Sequence, residues 1–161
     1  MPVVAKSKVW KPGRGKLGFL KPLLGRWVAE ADSPMGPLCC RRTFETVLKG
    51  TYVRLDARWE FGGASAVAPK VYEETAYIGA GDGGGVAFWS FTSDGKHSQG
   101  VVADVTDFHP EAIGFEAQMP AGLARMAYRP ADGDGGGYVW VVESKNAKGW
   151  NRFVEHHYRP A

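Results

Sequence analysis

"TYVRLDARWEF", residues 51–61, alternates without a slip. Val53, Leu55, Ala57, Trp59 and Phe61 fall on one side, and Tyr52, Arg54, Asp56, Arg58 and Glu60 on the other. Successive side chains of a strand point to opposite faces, so this period of two predicts a strand with one face in an apolar interior and one in water. Such half-buried strands belong to antiparallel sheets. The preceding "RRTFETVLKG" ends at Lys49-Gly50, a short turn, so the two segments predict a hairpin.

Working outward, further strand candidates lie at 26–32, 38–48, 70–79, 86–92, 97–105, 112–118, 123–129, 138–144 and 150–159. Between them stand "SPMGP", "FGGASAVAP", "GAGDGGG", "SDGK", "TDFHPE", "MPAG", "RPADGDGGG" and "KNAKG". These supply Gly for positive φ, Pro for fixed φ, and Asp or Asn for side-chain bonds to the backbone. One segment reads as helix: Leu17, Leu20, Leu23 and Leu24 recur at helical spacing, and Pro22 limits them to one or two turns over 17–25. Strands do not alternate with helices, which argues against a parallel sheet. The expectation is an all-β fold: an antiparallel up-and-down barrel of about ten strands, with the helical turn plugging one end. Closure hides both sheet edges, and a β-sandwich is the alternative.

The pentapeptide Gly-Asp-Gly-Gly-Gly occurs at 81–85 and at 133–137. A phosphate cradle would need a helix after the glycines, and here strands follow both copies. Asp132, Asp134, Gly137 and Glu143 fit positions of a calcium loop, but Gly136 replaces an expected ligand and the flanks read as strands. Sequences around the copies diverge, so a repeat is not supported. Flexible hairpin loops are the remaining reading.

A chain of 161 residues with 44% hydrophobic residues suits one domain with a real core, here expected over 17–161. The net charge of +3 is too balanced to call for nucleic acid. Lys6, Lys8, Lys11, Arg14, Lys16 and Lys21 precede any acidic residue, so residues 1–16 read as a basic flexible arm. No stretch approaches the roughly 20 apolar residues of a membrane span, and the start lacks the apolar core of a secretory signal. The expected location is the cytoplasm. Cys39 and Cys40 are adjacent, and on a strand they point to opposite faces; two reduced thiols are expected.

No catalytic motif is present: there is no Gly-x-Ser-x-Gly elbow and no His-x-His pair for a metal. The aromatic residues carry the larger signal. Trp27, Phe44, Trp59, Phe115, Tyr128, Trp140 and Phe153 lie on expected strands, either as core or as the wall of a cavity. A barrel of this strand number is wide enough to hold a small ligand. Alternation can also turn Arg42, Glu74, Arg125 and Arg152 inward, where an unpaired charge would be costly. Of His156 and His157, one should face the interior.

Gly25-Arg26-Trp27, after a helical turn and opening the first strand, resembles the Gly-x-Trp signature of the calycins, the lipocalin and fatty-acid-binding barrels. Thr106-Asp107-Phe108 resembles the lipocalin Thr-Asp-Tyr motif. Met35-Gly36, Arg42-Thr43-Phe44-Glu45, Leu48, Gly50 and Tyr52 resemble a run found in a bacterial group of uncharacterised calycin-like barrels, and that likeness extends over about 20–159. The related haem-binding nitrobindins share the Gly-x-Trp start but follow it with two glycines, where this chain has Ala29 and Ala31. The resemblance implies a base closed by Trp27, with Arg152 or Arg159 as candidates for the arginine that covers it.

The expected function is binding of a small apolar or amphipathic molecule inside the barrel, with Arg152 or His157 meeting its polar group. No cofactor is expected. One alternative is a haem protein acting on nitrogen oxides through His157 or His156. Another is an interaction barrel without a small ligand; assembly as a homodimer is left open.

Overall fold

The computed structural model describes residues 10–62, 70–133 and 135–161. They form a closed barrel of ten antiparallel strands, each paired with its neighbours in sequence and the last with the first. The strands are β1 (Gly25–Ser33), β2 (Gly36–Val47), β3 (Tyr52–Phe61), β4 (Lys70–Ala80) and β5 (Val86–Thr92), then β6 (His97–Ala103), β7 (Ile113–Met119), β8 (Gly122–Pro130), β9 (Tyr138–Asn146) and β10 (Gly149–Pro160). All ten sequence-expected segments are strands. Closure is made by Trp27 opposite Pro160 and Val28 opposite Arg159, leaving no free edge. Among the described residues no helix is long and apolar enough to cross a membrane.

Strand β3 has the faces its sequence dictates. Val53, Leu55, Ala57 and Trp59 are buried in the core. On its outer side Arg54 bridges Glu45 and Asp56, and Arg58 bridges Glu60 and Glu73. The β2–β3 hairpin is tight. Leu48 and Lys49 take φ of 51° and 58°, and Gly50 takes 80°. Consecutive left-handed residues match the twist of the strands they join, which is why such turns usually carry Asn or Gly. Both Gly-rich pentapeptides join neighbouring strands, β4 to β5 and β8 to β9. In the first, Gly81 N–H donates to the Gly85 carbonyl at 2.8 Å; Asp134 of the second lies outside the described residues.

A 3-10 helix, Gly18–Leu23, closes the base and contains Pro22. Leu20 and Leu23 are fully buried. Trp27 is locked beneath them: its indole N–H donates to the Leu23 carbonyl at 2.8 Å, and its ring meets Tyr138 edge-on at 4.8 Å. Residues 1–9 of the sequence-expected arm lie outside the described residues. Trp10 packs against the core, and its backbone N–H donates to Glu111 at 2.7 Å.

A smaller apolar cluster sits on the outside of the barrel. Val105, Ala127, Val139 and Val141 are buried there with Phe108 and Ala112 against them. The β6–β7 connection makes this cluster by lying across β8 and β9 as a strap. Asp107 holds it down, accepting two bonds from Arg125 at 2.9 and 2.7 Å. Thr106-Asp107-Phe108 is therefore a tie on the outer wall.

Gly100 of β6 faces the interior opposite Phe88 of β5. A side chain there would meet the Phe88 ring at 2.5 Å, so that ring lies over bare backbone. A Cβ would also collide with the Glu116 carbonyl.

Candidate functional site

The barrel interior divides into a packed side and a hollow side. Arg42 of β2 fills the packed side. Its neighbours on the same face, Leu38, Cys40 and Phe44, are buried, so alternation carries Arg42 inward with them. The guanidinium lies 4.5 Å from the ring centre of Trp140, 5.5 Å from Tyr128 and 5.7 Å from Tyr158. Trp59 and Phe44 stand at 5.9 Å. Stacking on aromatic faces is a favourable setting for a desolvated guanidinium.

Arg42 has one ionic partner among the described residues, Glu74 of β4, at 3.8 Å. The register explains the meeting. Arg42 pairs with Ala57 on β3, and Ala57 pairs with Glu74 on β4. The short side chain of Ala57 lets the two long ones converge over it. Glu74 also accepts a hydrogen bond from the Ser90 hydroxyl. The three guanidinium nitrogens are sealed from solvent and find no hydrogen-bond partner among the described residues, and the same holds for the Tyr138 and Tyr158 hydroxyls and the Trp140 indole nitrogen.

This packing sets the protonation of its members. Burial pushes the Tyr128 phenol up to about 12, against the opposing field of Arg42. Tyr138 and Tyr158 are driven in the same direction by burial. Burial also raises the Cys40 thiol, again against Arg42. Burial lowers the His156 imidazole, and Arg42 and His157 add to the effect, which favours its neutral form. Burial opposes the Arg42 charge, and the neighbouring Glu74 carboxylate favours it.

The hollow side is a cavity of about 480 Å³ that opens at the rim away from the helix. Phe88, Phe115, Ala117, Leu123, Met126 and Val142 give it apolar walls, while Glu74, Ser98 and Ser144 add polar groups. A second recess of about 450 Å³ opens beside it, walled by Leu38, Trp59, Phe61, Tyr72, Val154 and His156. Phe153 borders both openings and is 63% exposed.

Of the sequence-expected site residues, the structure brings Trp27, Phe44, Trp59, Phe115, Tyr128 and Trp140 together inside the barrel. Phe115 walls the cavity; Trp27 closes the base, and the other four surround Arg42 or stand beside it. Arg152 and His157 are corrected: neither faces the interior. Pairing on β10 jumps from Arg152–Glu143 to Val154–Val142, a bulge that leaves Phe153 unpaired. The inward set is Val154, His156 and Tyr158, and without the bulge Arg152 would have joined it. The extra residue turns Arg152 outward, where it bridges Glu143 and Glu155 at 3.1 and 2.8 Å. His157 has the opposite parity from Tyr158 and stands exposed beside Glu155. Arg125 is likewise outward, on the face of Ala127, bound to Glu143 at 2.8 Å. Arg159 bridges Glu30 on the outer surface, so neither Arg152 nor Arg159 covers Trp27.

Cys40 is buried and Cys39 half-buried, both as free thiols. Tyr138, Tyr158 and His156 were not among the expected site residues, apart from His156 as a haem ligand. The signal for them was parity: once Tyr158 faces Tyr138 across β10 and β9, His156 must face Trp140. No family model matches the chain, and no curated protein is recognisably similar to it.

Proposed function

We propose that the protein binds a small amphipathic molecule inside its barrel. The observation that carries this reading is the cavity of about 480 Å³, apolar on most of its wall and open at one rim. Small-molecule sites commonly occupy about 300–1,000 Å³ with apolar walls and a few polar groups. The ten-strand closure and plugged base agree with the calycin-like architecture that Gly25-Arg26-Trp27 resembles, and hollow barrels of that kind suit such a role.

Ala117 projects into the cavity from β7, so Ala117→Phe should fill it. Fluorescence of the neutral probe N-phenyl-1-naphthylamine should rise on binding the native protein and be displaced by decanol. Ala117→Phe should abolish both while circular dichroism stays native. A native protein that takes up neither compound overturns the reading.

A second reading rests on His156. Its imidazole faces inward at the second recess, and the Nδ1 atom is buried without a partner among the described residues. A neutral imidazole in that position is the group that would hold a haem iron, and bound haem would supply redox chemistry. Hemin should then give a Soret band that His156→Ala removes and His157→Ala spares; a band that survives His156→Ala ends this reading.

A further inference from the structure

Interior ligand binding leaves the head group unassigned, and the charges around the cavity assign it. Among the described residues Arg42 and Glu74 are the basic and acidic side chains paired inside the barrel, and only Glu74 touches the hollow. The Arg42 nitrogens are sealed, so no ligand atom reaches them without the aromatic rings moving apart. Glu74 lines the cavity, with its side chain 17% exposed. One carboxylate oxygen accepts from Ser90, and the other lies 3.8 Å from Arg42, beyond hydrogen-bond length. That second oxygen keeps accepting capacity. Arg125 also borders the cavity, but its guanidinium is engaged on the outer face by Asp107 and Glu143. Ser98 and Ser144 are the other polar side chains on the wall, and hydroxyls serve either partner.

Resting on the cavity as a ligand site, we propose that it selects amphipathic molecules whose polar end donates hydrogen bonds, a protonated primary amine above all, and rejects carboxylates. Glu74 is the acceptor that recognises the head group. Arg42 is a positioning residue: it holds Glu74 from behind and never meets the ligand. A carboxylate head would enter beside Glu74 and meet like charge in a poorly hydrated site, whereas an ammonium head would make a charge-assisted bond there. The net charge of the whole chain, +3, favours anions, so a preference for amines has to come from the cavity itself.

The test uses the native protein and three probes of equal chain length, decylamine, decanol and decanoate, each displacing N-phenyl-1-naphthylamine at pH 7.5. Decylamine should bind at least about ten-fold more tightly than decanoate, with decanol between them, a gap typical of one charged contact. Glu74→Gln should compress that gap to about three-fold or less, because decylamine loses its charge-assisted bond and decanoate no longer meets like charge. Circular dichroism identifies a variant that has not folded, in which case the native series decides alone. Equal or tighter binding of decanoate, with decanol still bound, overturns the head-group assignment and leaves the cavity reading standing. Failure of all three probes overturns both.

Discussion

Arg42 and Glu74 meet at 3.8 Å across the intervening Ala57, with the arginine sealed inside a ring of aromatic side chains. A desolvated pair of this kind is asymmetric in its energetics: removing one partner strands the other, and removing both is tolerated. Glu74→Gln should therefore destabilise the fold by about 2–4 kcal/mol in urea unfolding. Arg42→Met combined with Glu74→Gln should recover to within about 1–2 kcal/mol of the native protein. Additive losses in the double variant would show that the two charges do not depend on each other.

The buried phenols make a prediction about alkaline pH. Tyr128, Tyr138 and Tyr158 all have folded-state pKa values raised by burial, Tyr128 to about 12. A phenol ionises near 10 when the chain is unfolded. Stability linked to these groups is fully present below that pH and is lost as pH rises through the folded values, because only the unfolded chain can release the protons. Ultraviolet difference titration should find these three phenols silent at pH 11, while urea midpoints fall steadily above pH 10. Replacing Tyr128 with Phe should shallow that fall.

Leu48 is an ordinary residue in a left-handed conformation, φ 51°, and its side chain is 65% exposed. A Cβ-branchless backbone would be at ease there, and Asn tolerates the region better than Leu. Leu48→Asn should raise stability by about 0.5–1 kcal/mol, since little packing is lost. A thermal midpoint that drops would show that Leu48 contributes a contact outweighing the strain.

The strap over the outer cluster depends on Asp107 and Arg125. Hydrogen bonds from Arg125 hold the Asp107 carboxyl below the usual carboxylate range, against a small opposing effect of burial. The tie is thus complete above about pH 4 and weakens as pH falls through the depressed folded value. Asp107 is 58% exposed, so solvent screens the pair and Asp107→Asn should cost only about 0.5–1 kcal/mol. Amide hydrogen exchange should quicken in the strap, residues 104–112, and not in β2 or β3. Uniform quickening across the barrel would mean that the strap is integral to global stability.

What could be read in advance follows from how local each feature is. Alternation in 51–61 needs only neighbouring residues, and it found both the strand and its inward face. Arg42 was legible for the same reason, because it shares parity with Cys40 and Phe44. The bulge at Phe153 was not legible, since no Gly or Pro marks it in "NRFVEHH", and a single slip reverses every assignment on one side of it. Arg152 was lost to that slip. The strap was missed because Val105 reads as the end of a strand, whereas its burial comes from Ala127, Val139 and Val141, which lie far along the chain. Ala57 looked like one more small core residue; its service as a gap between two charges exists only when three strands stand side by side.

The hydrogen atom that takes the place of a side chain at Gly100 has an effect at a distance. Phe88 reclines against β6 because nothing projects there, and an upright ring would stand in the middle of the chamber. The room available to a guest is thereby owed to an omission on the neighbouring strand, where the smallest of residues makes space for the ring beside it.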